Sequence, residues 1–375
     1  MATPAAQTES AQARDILRAC IQKVATGPEY SKDLTREEAR AAMAEILAGR
    51  AHPVQAGVFL IALRMKRETM DEYKGLLEAL RAAVREAEAP VDEVLDLADP
   101  YDGYARGLPA SPFVPAVLAA CGVPTVSHGT ESVGPKYGIT HRQVLAAAGA
   151  AVDLEPEAAA ERLAGPGWAF VDQEAFCPSL HALLELRTLI VKRPALTTLE
   201  VLLRPVRGRK ATHLVTGYVH KAYPPVYCEL ARFVGYDSAA VVRGVEGGVI
   251  PSLQQPAKVF RTVGGAPETE HTVEPQAAGI QRDTRAVPLP ADLNRGPGRD
   301  EIDAGLDTAA AAARTAELGL AALGGEEGTM QDAMVYGAAI CLWHLGRAAD
   351  LGEGARMARE AIRSGAALAR FRGEG

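Results

Sequence analysis

The chain has 375 residues, 48% of them hydrophobic and 23% charged, with a formal charge of −7. That length supports a large core and points to two domains, and no apolar run reaches the roughly 18 residues a membrane helix needs. The negative charge gives no global attraction to nucleic acid, and the polar, Ala-rich start lacks the features of a secretory signal, so a cytoplasmic protein without membrane attachment is expected.

Five cysteines, Cys20, Cys121, Cys177, Cys228 and Cys341, are odd in number and widely spaced, with no C-x-x-C pair. This argues against a disulfide framework or a zinc site and for small core residues. His52, His181, His220, His271 and His344 show no metal-ligand spacing either.

Residues 1–90 read as a helical domain. Thr35 with Glu38, and Thr69 with Glu72, form capping boxes ahead of apolar periodic runs. Ala39, Ala42, Met43, Ile46 and Leu47 mark one buried face. Pro53 suits a first helical turn, and Val54, Val58, Ile61, Ala62 and Met65 are expected on the buried side of the helix it opens.

The period then changes. Short apolar runs at 94–97, 123–126, 168–171, 213–219 and 239–242 read as strands, with helical stretches around 114–121, 142–148 and 226–234 between them. This alternation predicts an α/β domain, residues 91–177 and 205–375, with a central, mostly parallel sheet covered on both faces. Residues 178–204 are helical again and are expected to pack back on the N-terminal helices. Residues 264–305, rich in Pro, Gly and charge, read as a long excursion or a strand-bearing flap. Two or three helices close the chain, with Val335, Ala339 and Leu342 on one buried face and Ala355, Ala358 and Ile362 on another.

Several stretches can carry chemistry. Val126–Ser132 (VSHGTES) ends a strand, with Lys136, Gly138 and His141 before a helix. A Gly-bearing turn leading into a helix N-terminus suits an anion, to which the hydroxyls of Ser132 and Thr140 and the Lys136 cation would add donors. Asp99–Gly107 (DPYDGYARG) reads first as a tight turn, with a metal held by Asp99 and Asp102 as the alternative. Arg204, Arg207, Arg209 and Lys210 form a basic patch that is either a solvated loop or a phosphate site. Tyr223 and Tyr227 read as packing residues rather than stacking platforms.

Three of these stretches together, 34–73, 127–138 and 337–371, make the chain resemble the anthranilate phosphoribosyltransferase family over nearly its whole length. The resemblance implies a small helical domain joined to a larger α/β domain, a homodimer formed through the helical part, and transfer of a phosphoribosyl group from phosphoribosyl pyrophosphate with magnesium. It implies a substrate- and phosphate-binding set of Asp102, Gly103, Ser111, His128, Gly129, Thr130, Ser132, Lys136, Gly138 and Arg187, the last matching an arginine that contacts the acceptor carboxylate. The motifs depart from the family at definite points. The family's Gly-Thr-Gly-Gly-Asp loop falls on Asp99, Pro100, Tyr101, Asp102 and Gly103. Its Lys-His-Gly-Asn-Arg falls on Ser127, His128, Gly129, Thr130 and Glu131. Its acidic metal pair falls on Val249 and Ile250, with Glu246 nearby, so magnesium would need another site, from Asp99, Asp102 or Glu246. Three functions stay open: pentosyl transfer to an unidentified acceptor from a phosphorylated sugar donor, a catalytically degenerate member that binds nucleic acid, and the anthranilate enzyme of tryptophan biosynthesis.

Overall fold

Four helices open the chain: α1 (Pro4–Val24), α2 (Arg36–Leu47), α3 (Pro53–Lys66) and α4 (Met70–Ala82). Thr35 and Thr69 cap α2 and α4 with both halves of the capping box in place, each box stabilising its helix start by about 1 kcal/mol. Glu72 does more than cap. Its buried carboxylate also accepts the Leu34 N–H at 2.9 Å and lies 3.0 Å from Lys66 Nζ, tying α4 to the chain before α2 and to the end of α3.

The expected inner face of α3 is corrected by the structure. Ala56, Gly57, Phe59, Leu60 and Leu63 are buried, whereas Val54, Val58 and Met65 are 65%, 44% and 76% exposed. The helix is apolar on nearly every side, so its periodicity does not distinguish the face that packs inward.

The computed structural model describes residues 4–27, 29–293 and 305–374. Its main sheet has seven strands: β1 (Glu93–Ala98), β2 (Thr125–Gly129), β3 (Trp168–Asp172), β4 (Ala211–Gly217), β5 (Ser238–Val242), β6 (Ala257–Val263) and β7 (Thr269–Val273). The order is β7-β6-β5-β4-β1-β2-β3, parallel from β5 to β3 and antiparallel at β6 and β7. The five expected strands are all present, within three residues at each end. They are β-branched and apolar because both faces are covered. Alternate residues serve opposite cores: Trp168 and Phe170 join the cluster with the C-terminal helices, Ala169 and Val171 the cluster with the N-terminal ones.

From β1 the chain builds outward to β2 and β3, then returns to the other side of β1 for β4 and β5. The topological switch therefore lies between β1 and β4, and the crevice at the carboxyl ends of the strands there is where open α/β sheets bind ligands.

Residues 178–204 are short turns of helix rather than one long one. They touch α3, where Ile190 and Leu186 approach Gly57. Four helices, not two or three, close the chain: Thr308–Leu323, Thr329–His344, Leu351–Arg363 and Ala366–Arg372. Short helices divided by single Gly-containing turns are hard to count from periodicity alone. Of the 264–305 stretch, residues 264–293 carry β7 and a short strand, Val287–Pro288, paired with Gly107–Leu108; residues 294–304 lie outside the described residues. All five cysteines are unpaired, and no helix among the described residues is long and apolar enough to cross a membrane.

Candidate functional site

Three loops meet at the carboxyl edge of the sheet: 99–106 after β1, 130–140 after β2 and 243–250 after β5. Their contact is set by main chain. Tyr104 N–H donates to Ile139 O at 3.0 Å and Ile139 N–H to Tyr104 O at 2.7 Å. Gly103 has φ +71, and a side chain there would lie 2.5 Å from Ile139 O, while one on Gly138 would lie 2.5 Å from Tyr104 N. Both glycines thus serve the approach of one loop to the other.

Asp99 is the centre of the first loop. Its Oδ2 accepts from the hydroxyls of Tyr104 at 2.7 Å and Ser111 at 2.6 Å and lies 2.7 Å from His141 Nε2, and its Oδ1 accepts the Val249 N–H at 2.9 Å. A carboxylate only accepts, so the proton of His141 is on Nε2. Burial by itself would raise the Asp99 carboxyl, but His141, Ser111 and Tyr104 outweigh it and hold the group below the usual carboxylate range. Three donors thus converge on Oδ2 and one on Oδ1.

Glu246 completes the second link. Its carboxylate accepts N–H groups from Ala105 at 3.0 Å and Arg106 at 2.8 Å and pairs with Lys136 at 3.1 Å. Asp102, on the first loop, is buried and pairs with Arg193 at 2.6 Å. Arg187 is fully buried, its guanidinium held by both oxygens of Glu200 at 2.6 and 2.9 Å.

The residues singled out in the sequence therefore do not form one ligand shell. Asp102, Gly103, Ser111, Lys136 and Gly138 converge around the three loops. His128 does not: it is buried at the sheet, bonded to Tyr101 through Nδ1 and 3.0 Å from Asp96, which in turn accepts from Tyr236 at 2.7 Å. Thr130 is buried with its hydroxyl unpaired, and Gly129 ends β2 where a side chain would meet the Phe170 ring. Ser132 is half-buried on the second loop. The Thr140 hydroxyl accepts the Gln143 N–H in a capping box, so the helix N-terminus after the loop is already capped by the chain itself. In the basic patch, Arg204 pairs with Glu86, Arg207 with Glu86 and Glu88, and Lys210 with Asp92. Tyr227 is buried beside Tyr223, in keeping with a packing role.

Glu200 is a partner that sequence reasoning passed over, and His141, named ahead of the helix, was not connected to Asp99. Glu200 carried a usable signal: one carboxylate inside the apolar run 195–203 implies a buried cation. One trio among the described residues, Asp172, Glu174 and His181, brings possible metal-ligand atoms within 4.8 Å of one another. Arg142 bonds to Asp172 as well as to Glu131 and Asp153, which sets a guanidinium against any cation there.

Comparison with known proteins places this arrangement. Residues 18–84 match the helical bundle domain of a glycosyl transferase family, and residues 110–289 match the a/b domain of a glycosyl transferase family. The anthranilate phosphoribosyltransferase of Methylobacterium nodulans is 32% identical over 359 residues, covering 95% of this chain and 96% of that protein. That of Beijerinckia indica is 29% identical over 355 residues, 95% of each chain. An uncharacterized protein of Aquifex aeolicus is 27% identical over 267 residues, 71% of this chain and 79% of its own. The Thermus thermophilus anthranilate phosphoribosyltransferase superposes with TM-score 0.71 at 23% identity, covering 96% of this chain and 97% of that one. The Saccharomyces cerevisiae enzyme in complex with PRPP and Mg gives 0.73 at 16% identity, with 96% of each chain covered. The chain belongs to the anthranilate phosphoribosyltransferase family.

Proposed function

We propose that this family member has filled the family's donor site with its own carboxylates, so that it does not hold phosphoribosyl pyrophosphate and magnesium in the family's manner or make phosphoribosyl anthranilate. Its carboxyl-edge crevice is read instead as a site for another anionic ligand. Asp99 carries the reading. On the sequence resemblance it falls at the first glycine of the family's loop, and its buried charge already collects four donors. A pyrophosphate oxygen brought to about 4 Å from it would meet a repulsion of about 4 kcal/mol at the effective dielectric of a protein surface.

Arg187 points the same way. Glu200 offers it the bidentate partner that an acceptor carboxylate would otherwise supply. Magnesium does not fit the carboxylates present. Its ligands need free oxygen lone pairs, whereas Asp99 has three donors on Oδ2 and the Val249 N–H on Oδ1, Glu246 is bonded to two N–H groups and Lys136, and Asp102 is held by Arg193. On the resemblance read from the sequence, Val249 and Ile250 fall where the family has its acidic pair.

Expression in a tryptophan auxotroph lacking the anthranilate enzyme tests this reading in cells. No growth without tryptophan is expected, and growth would overturn it.

Pentosyl transfer from a different donor to an unidentified acceptor is the second reading. It is favoured by a largely apolar recess, partly open to solvent, beside Tyr104, Ser111, Glu246, Ile250 and Arg285. Turnover of a sugar phosphate, followed by phosphorus NMR, would establish it. Nucleic-acid binding has less support, since three of the four cations in the basic patch have acidic partners. A homodimer through the helical part is supported by the exposed apolar side of α3, Val54, Val58 and Met65, with Leu189 and Val191 also exposed on the 178–204 segment that packs on this helix.

A further inference from the structure

We propose that the N–H groups of Ala105 and Arg106, together with Lys136, form a binding site for the phosphoryl group of a phosphomonoester, and that Glu246 is its built-in competitor. This deepens the reading of the crevice as an anion site and rests on it.

Two successive N–H groups aimed at one point, with a cation beside them, make a concavity for an anion. Here both N–H groups bond to Glu246, at 2.8 and 3.0 Å, and the Lys136 ammonium lies 3.1 Å away. The side chains of Lys136 and Glu246 are only 14% and 8% exposed, so the pairing is little weakened by solvent. A phosphoryl group offers oxygens to the same three donors and a larger charge.

The two carboxylates of the crevice differ in how they are held. Asp99 is held by four donors and 2% exposed. Glu246 stands on a backbone of φ 55 and ψ 17, between Gly244 and Gly247–Gly248. That left-handed conformation is unfavourable for a non-glycine residue, so the loop holds the carboxylate in place against a local preference. Release of the Glu246 side chain would free the three donors together. The ester group would then have a seat: the space lined by Tyr104, Val245, Ile250 and Leu253, with Arg285 on its wall, adjoins Glu246. The ligand class is accordingly a phosphomonoester of a small, mainly apolar alcohol.

Calorimetric titration of the full chain with inorganic phosphate tests the site. Glu246→Ala is expected to bind phosphate about tenfold or more tightly than the wild type, because the competing internal state is removed. Glu246→Gln, which keeps the side-chain shape and loses the charge, is expected to gain in the same direction. Adding Lys136→Met to Glu246→Ala should abolish the gain. Thermal unfolding of each variant establishes that it is folded, and Glu246→Gln carries the test if Glu246→Ala is not. Folded variants that bind phosphate no better than the wild type, or a gain that persists without Lys136, would overturn the proposal. Magnesium-dependent binding of phosphoribosyl pyrophosphate by the wild type would overturn the parent reading instead, and the two results come from separate titrations.

Discussion

Asp99 and Val249 lie 150 residues apart on two loops, and the carboxylate of the first accepts the backbone N–H of the second at 2.9 Å. Three residues before Val249, Glu246 returns the contact by accepting the N–H groups of Ala105 and Arg106. Each loop thus contributes a carboxylate to the main chain of the other. The clamp lies at the carboxyl edge of the sheet, where a ligand would separate the same two loops.

The Asp99 half of the clamp is worth stability that depends on pH. Asp99→Asn at neutral pH is expected to cost about 3 kcal/mol, because an amide cannot accept from all four donors and leaves buried groups unpaired. The folded carboxyl sits below its ordinary value, so its contribution is complete above the unfolded value of about 4 and disappears as pH falls through the folded one. Urea unfolding of both proteins should show the gap closing below about pH 4. A gap that stays constant with pH would contradict this.

Arg187 and Glu200 make a second test. Glu200→Ala leaves a fully buried guanidinium without its partner and should cost about 3–5 kcal/mol, while Arg187→Met with Glu200→Leu should cost markedly less. Denaturant midpoints at equal slope would measure both. Equal losses would mean that the pair is not a closed internal unit.

Much of the frame is legible in the sequence, because periodicity and capping act locally. Thr35 with Glu38 and Thr69 with Glu72 announce their helices, and the apolar runs at 94–97 and 239–242 announce buried parallel strands. The faces of α3 were not legible, since Val54, Val58 and Met65 are as apolar as Ala56, Phe59 and Leu60. The site was legible only as a set of departures. Asp99 reads as a bulky, charged residue where a loop needs small ones, but its partners His141 and Val249 lie 42 and 150 residues away. Such pairing belongs to topology, and no local spacing encodes it. His128 shows the converse: a motif position kept in sequence whose side chain turns into the sheet toward Asp96 and Tyr101.

The exposed stripe of α3 predicts self-association. Val58→Glu with Met65→Glu should convert a dimer to monomer in sedimentation velocity without lowering the unfolding temperature by more than a few degrees. An unchanged sedimentation coefficient would place the dimer elsewhere or remove it.

The basic patch predicts weak nucleic-acid binding. With Arg204, Arg207 and Lys210 engaged by Glu86, Glu88 and Asp92, few counterions are released on contact with a phosphate backbone. Fluorescence anisotropy with single-stranded DNA should show low affinity at 50 mM salt and a shallow salt slope, about one or two charges. A steep slope would show that another face supplies the cations.

Calorimetric titration of the wild-type chain with phosphoribosyl pyrophosphate, with and without magnesium, tests most directly the claim that internal carboxylates occupy the donor site. No saturable heat up to millimolar donor is expected, in either condition. Magnesium-dependent binding in the micromolar range would contradict it, because Asp99 would then have to leave its four donors to admit the pyrophosphate.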